Sequence, residues 1–152
     1  MDALEELNAD SISLIGVDVS GAFLQGVRLE KARLSRANFN SADARNSDFQ
    51  SADFSSADLQ AANFRASDLR NADFSGAQLT DADFFGANLA GADFGKATLD
   101  NTDLCNTDLR NLRWQQIRSV RNANLFGAKH VPDGFLAWAL QNGAVQKPHD
   151  TE

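Results

Sequence analysis

Eleven aspartates recur along one stretch of this chain, each just ahead of a centre position that is most often a large apolar residue: Asp18, Asp43, Asp48, Asp53, Asp58, Asp68, Asp73, Asp83, Asp93, Asp103 and Asp108. Carboxylates in such number suggest acid–base catalysis or coordination of hard cations. Their regularity points elsewhere. Asp and Asn accept hydrogen bonds from the backbone of a following turn, and a residue that returns at every corner of a repeat serves the corner. The remaining candidates are few. His130 and His149 stand near the C-terminus in no hydrolase or metal-ligand spacing, and both are expected to be solvated. Cys105 follows an apolar centre, so the sequence predicts a lone, outward, exposed thiol. Gly76, Gly86 and Gly91 each close a five-residue unit and suit turns, with no phosphate loop among them. No nucleophile, base and orienting group converge, so the sequence predicts no enzyme, no catalytic residue, no metal ligand and no cofactor.

The elements that hold these residues follow from a repeat. The chain has 152 residues, one domain's length, and carries 14 Lys+Arg against 21 Asp+Glu for a formal charge of −7. That sign argues against direct nucleic-acid binding, which exchanges a basic surface for counterions. One cysteine excludes a disulfide framework. No apolar run approaches the ~20 residues that span a bilayer, and MDALEELNAD lacks a basic region followed by a hydrophobic one, so a soluble cytoplasmic protein is expected. Ala, Leu and Phe dominate the apolar share while Val and Ile are scarce, which fits neither a sandwich nor a doubly wound sheet.

A centre residue, large in nearly every case, returns at every fifth position from Leu14 to Trp114, giving 21 centres of which 11 are Leu and 7 are Phe. Two positions before the centre stands Ala in 13 of the 21 cases, and Asp or Asn usually lies between. On an α-helix, centres five apart would rotate about 140° per step and form no stripe. In a straight strand they would alternate between faces. The chain must therefore turn a corner once per repeat, making a solenoid of very short strands. From Phe54 to Leu99 the centres alternate Phe and Leu. A three-sided coil would stack Phe on Leu, whereas a four-sided coil stacks like on like, as in Leu34, Phe54, Phe74, Phe94 and Trp114; four sides are preferred. Just over five coils at ~4.8 Å each give a ladder about 24 Å tall.

The tandem runs ADFSSADLQAANF, NADFSGAQLTDADFFGANLAGADF and NTDLCNTDLRN resemble the pentapeptide repeat proteins, over about two thirds of the chain. The resemblance implies an all-β fold, a right-handed quadrilateral β-helix with the centre and the small residue two before it inside. It says little about activity, because members of the family differ widely in role.

Departures from the pattern mark special places. Ala44 replaces a bulky centre, leaving either a small void or space for larger neighbours. Ser47, Ser67, Thr102 and Thr107 replace the small Ala and can bond turn carbonyls. The phase breaks at 115–122 and resumes one residue out of register at Leu125, which predicts a bulge near Arg118. The expected organisation is an N-terminal cap over 1–11, built on Asp2, Ala3, Leu4 and Leu7, then the repeats over 12–130. A C-terminal capping helix follows over 131–146, with Asp133 at its N-terminus, Asn142-Gly143 as its stop, and Phe135, Leu136, Trp138, Ala139 and Leu140 as its apolar run, and a frayed tail over 147–152 ends the chain. Phe135, Leu136, Trp138 and Leu140 would cover the last coil or pair two molecules end to end. Such a cap looks similar to that of stand-alone bacterial, particularly cyanobacterial, members.

Two surfaces stand out. Phe23 and Phe85 occupy outward slots, and Phe85 with Gly86, Ala90 and Gly91 would make a flat, weakly charged patch for a partner protein. Asp43, Asp48, Asp53 and Asp58 form an acidic belt with only Arg45 among them, while Arg33, Arg65, Arg70 and Arg113 flank the other aspartate columns. The first surface leads to the main reading, a rigid scaffold for an unidentified protein, monomeric or an end-to-end homodimer. The second leads to its alternative, an acidic DNA mimic that binds a type II topoisomerase, as similar family members do in quinolone resistance.

Overall fold

The computed structural model describes residues 2–149. Each repeat turns immediately after its centre. The amide of Ala57, for example, donates to the Phe54 carbonyl at 3.0 Å, and the second central residue of that turn, Ser56, is left-handed at φ 56°. This is the backbone of a type II turn, which Gly fills without strain at Gly76, Gly86 and Gly91. Between turns only one residue pairs. Asp53 bridges Asp73 and Asp73 bridges Asp93, all parallel and twenty positions apart. Four bridged columns result. The first runs from Asp18 to Ser119, the second from Phe23 to Val145, the third from Arg28 to Lys129 and the fourth from Arg33 to Arg113. The short strands expected from the sequence are thus reduced to single bridging residues, because a corner every five residues leaves room for no more.

The twenty-residue step stacks like on like. Phe54 and Phe74 lie 5.4 Å apart with rings parallel at 0°, and Phe64 and Phe84 lie 5.4 Å apart at 8°. Phe39, Phe49, Phe64, Phe74, Phe84 and Phe94 are all at 0% exposure, each ring contributing about 2–3 kcal/mol by leaving water. Larger neighbours surround Ala44. In its coil Phe39 and Phe49 replace the Leu usual on their sides and meet edge-to-face at 6.2 Å, while Phe64 of the next coil closes on Phe49 at 5.5 Å. The buried hydroxyls are satisfied: Ser47 donates to Leu24 O at 3.0 Å, Ser67 to Ala44 O at 2.8 Å, Thr102 to Leu79 O at 2.9 Å and Thr107 to Leu104 O at 2.7 Å.

One six-residue repeat interrupts the ladder. Asp93 pairs with Arg113 at twenty positions, but Thr98 pairs with Ser119 and Asp103 with Asn124 at twenty-one. Ile117 is buried, Arg118 is exposed, and Arg118 N still donates to Ala97 O at 2.9 Å, so the extra residue is taken up as a bulge. Asp100 ties it down by accepting from Ser119 Oγ, from Arg121 N at 3.0 Å and from Arg121 Nη2 at 2.9 Å.

The ends differ from expectation in four respects. Helix α1 (Ala3–Ala9) forms where the sequence suggests a short amphipathic turn and opens on a reciprocal cap between Asp2 and Glu5, but buries no residue. Through Glu5, which accepts from Arg28 N at 2.8 Å, and Asn8, which donates to Glu30 O at 3.0 Å, it lies along the edge of the first coil near the third column. Helix α2 (Phe135–Gln141) begins at Gly134 in a left-handed conformation with no side-chain cap, so Asp133 does not serve it. Its Phe135 and Trp138 rings sit 5.4 and 5.5 Å from Trp114 and cover the last coil, whereas Leu140 turns outward at 42% exposure. Beyond α2 the chain rejoins the ladder, with Val145 bridging Asn124. The expected frayed tail is docked through His149, and its last part, 150–152, lies outside the described residues.

Candidate functional site

The aspartates are turn formers. Each belt carboxylate accepts from the backbone amide two residues on: Asp43 from Arg45 at 3.4 Å, Asp48 from Gln50 at 3.0 Å, Asp53 from Ser55 at 2.9 Å and Asp58 from Gln60 at 3.1 Å. They also belong to four different columns, so the belt runs around the coil and presents no single acidic face. Asp43 is compensated most fully, held by Arg45 Nε at 2.8 Å and Gln25 Nε2 at 2.7 Å, and the Arg45 hydrogen bond keeps its carboxyl well below the usual carboxylate range. Of the flanking arginines, Arg70 pairs with Asp68 at 2.6 Å, Arg65 with Asp83 at 3.1 Å and Arg113 with Asp93 at 3.8 Å. Arg33 makes no ion pair among the described residues. Asp53, Asp73 and Asp93 therefore form the most acidic stripe, on the fourth column between Arg33 and Arg113.

The apolar patch divides. Phe23 is 89% exposed at the head of the second column. Phe85 stands three bridges further along that side, about 14 Å away at one strand spacing per coil. Phe85 is half-buried, with the Arg65 guanidinium 4.4 Å from its ring centroid and the His149 ring 4.8 Å from it. Ala90 follows a centre of the third column, is half-buried, and lines a shallow groove with Arg70, Asn71 and Arg113. Phe85 is thus covered by a cation and by the chain's own tail, while Ala90 lies apart from it on the third column.

Cys105 and His149 also depart from expectation. Cys105 follows its centre and sits on the outer side of the coil, as the repeat demands, yet it is at 0% exposure. The next coil and the returning tail close over it, with Sγ 3.9 Å from Asn124 O and His149 on the outer side. Burial, reinforced by the neighbouring Asp103 carboxylate, pushes its thiol up to about 12. His149 keeps 40% of its side chain exposed but sets Nε2 2.6 Å from Asp103 Oδ2. His130 is exposed as expected, with Nδ1 3.2 Å from Asp108 Oδ1. Asp103, Cys105 and His149 thereby converge, with one ligand-type atom from each lying within 4.8 Å of the others. Nothing in the repeat signals this meeting, because His149 lies outside the periodic stretch.

No curated protein sequence matches the chain. Among solved structures, the pentapeptide repeat protein Rfr23 from the cyanobacterium Cyanothece 51142 is 20% identical, with 95% of this chain and 97% of that chain covered and a TM-score of 0.50, a likeness of fold. HetL, a pentapeptide repeat protein involved in heterocyst differentiation regulation from Nostoc sp. strain PCC 7120, is 29% identical over 90% of this chain and 60% of its own, with a TM-score of 0.40. QnrB1, a plasmid-mediated fluoroquinolone resistance protein, is 18% identical over 85% of this chain and 76% of its own, with a TM-score of 0.49. The family description "Pentapeptide repeat region" matches residues 24–102, just over half of the sequence. A stacked ladder of turn-forming aspartates over buried Leu and Phe is what that family's motif encodes, and the chain belongs to the pentapeptide repeat family.

Proposed function

We propose that this protein is a non-enzymatic, rigid, protein-binding scaffold, a right-handed quadrilateral β-helix that works through its outside. The observation that carries the reading is the filled interior: Leu29, Phe39, Phe49, Phe64, Phe84, Phe94 and Leu109, spread along the ladder, are all at 0% exposure. A substrate needs a concave site that excludes water. The described surface carries open grooves, such as that of about 360 Å³ along Ser55, Ser75, Asp93 and Gln116. Among the described residues no helix is long and apolar enough to cross a membrane. The reading includes a cytoplasmic location and a monomer or end-to-end homodimer, with another protein rather than nucleic acid as partner.

The surface we assign to the partner is the first coil. Phe23 is open there, and Leu7, Ile12 and Ile15 are 36%, 49% and 38% exposed. The backbone amides of Asp18, Phe23 and Arg33 find no acceptor among the described residues, unlike the equivalent amides of later coils. A partner that brings apolar side chains and an extended edge would satisfy both. The test is site-specific photocrosslinking from position 23 in the source cells. A discrete protein adduct, insensitive to raised salt and competed away by excess unmodified protein but not by excess Phe23→Arg, is expected. Free protein at every salt concentration would sink the reading.

A second reading, the DNA mimic, draws on the stripe Asp53, Asp73 and Asp93. A gyrase supercoiling assay separates the two, because a charge-led contact weakens steeply with salt. We expect no inhibition and no quinolone protection. Either effect, lost on changing the three aspartates to Asn, would favour the mimic.

A further inference from the structure

We propose that Asp103, Cys105 and His149 form a binding site for a zinc-class divalent cation that clamps the C-terminal segment onto the second column. The three side chains supply one oxygen, one sulfur and one nitrogen. This mixed donor set suits zinc and its borderline neighbours and is a poor match for magnesium or calcium, which take oxygen ligands throughout.

The coil presents two of the ligands. Cys105 N donates to Asp103 Oδ1 at 2.9 Å, which orients the carboxylate and leaves Oδ2 for an outer partner. The third arrives on a segment that is itself anchored two residues earlier. Lys147 N donates to Asn124 Oδ1 at 3.1 Å, and Asn124 Nδ2 donates to Lys147 O at 2.8 Å. Phe85 then fixes the imidazole, with ring centroids 4.8 Å apart. The result is Nε2 at 2.6 Å from Asp103 Oδ2 and all three ligand atoms within 4.8 Å of one another. Ligand atoms around tetrahedral zinc stand roughly 3.3–3.7 Å apart, given bonds of ~2.3 Å to sulfur and ~2.0–2.1 Å to nitrogen and oxygen. From separations between 2.6 Å and 4.8 Å, adjustments of about an ångström in these side chains reach that arrangement.

Charge supports the same assignment. The neighbouring carboxylate of the column, Asp83, is already held by Arg65 at 3.1 Å, so Asp103 is the one available to an ion. One carboxylate and one thiolate neutralise a divalent ion, which makes the complex tolerable where Cys105 is buried. On binding, the S–H bond breaks, the sulfur–metal bond forms and the proton leaves to solvent. The half-exposed side of His149 leaves the fourth position open to water.

The test uses the full-length protein, zinc chloride alone by calorimetry and cobalt chloride alone by absorption. One ion per chain is expected, with a thiolate-to-cobalt charge-transfer band and release of the thiol proton. Loss of a direct ligand should weaken binding at least as much as loss of a supporting group does, so Cys105→Ser and His149→Ala should each cost about 100-fold or more. Cys105→Ser alters a buried position, and its melting curve shows whether the coil survives. His149→Ala lies outside the coils and removes a ligand without touching the core. Absence of saturable one-to-one binding, absence of the charge-transfer band, or an affinity indifferent to His149→Ala would overturn the assignment and leave the cluster as an ion pair beside a buried thiol.

Discussion

Truncating Phe74 probes the interior most directly. Its ring is at 0% exposure, stacked on Phe54 at 5.4 Å and 0°, tilted on Phe94 at 5.4 Å and set edge-on to Phe84 at 5.7 Å. Phe→Ala in a core costs about 3–5 kcal/mol, from lost transfer energy and the cavity left behind. Three aromatic partners, each worth about 0.5–1.5 kcal/mol beyond area, put this site at the upper end. Relaxation is limited, because the coils above and below are fixed by Phe54 N to Asp73 O at 2.7 Å and Phe74 N to Asp93 O at 2.8 Å. The control is Gln60→Ala, whose side-chain amide donates within its own turn, to Asp58 at 3.2 Å; it should stay within about 0.5 kcal/mol. Urea unfolding should be followed by circular dichroism and by fluorescence of Trp114 and Trp138, because a ladder can lose coils separately. At about 2–4 °C per kcal/mol, the melting temperature should fall by roughly 6–20 °C for Phe74→Ala. Shifts within about 1 kcal/mol of each other for the two variants would refute the inside-out assignment.

Deleting residues from Pro132 onward should bare Trp114 and the last open edge and drive association, visible as a rise in scattering mass; a monodisperse truncation would show that α2 is no cap. Asp43→Asn should cost about 1 kcal/mol at neutral pH by weakening the contacts to Arg45 and Gln25. Because the folded carboxyl of Asp43 lies well below its ordinary value of 3.8, the gap in melting temperature from wild type should be full above about pH 3.8, narrow as the pH falls below it and close further into acid; closure near neutral pH would contradict the pairing. Ala66→Gly should stabilise by about 0.5–1 kcal/mol, since Ala66 is held at φ 56°, where glycine has no Cβ penalty; a destabilised variant in denaturant titration would show that the turn is not strained.

The repeat was fully legible in the sequence because it is a local rule. A corner every fifth residue, Asp or Asn bonding to that corner, and Leu or Phe inside are set within each unit, and stacking only copies them. Ser47, Ser67, Thr102 and Thr107 and the slip before Leu125 were readable for the same reason. What followed no period was decided in three dimensions. The volume of Ala44 was made up by Phe39 and Phe49 across the coil, a matter of total core packing that no single unit encodes. Asp133 is no cap because the helix starts one residue later, at a left-handed Gly134 where a Cβ would stand 3.8 Å from the Trp114 ring. Cys105 and Phe85 did take outward slots, yet the chain returned through Val145 and Lys147 and laid His149 over them. A contact spanning 44 positions between Cys105 and His149 depends on where the cap releases the chain, and only the assembled coil decides that.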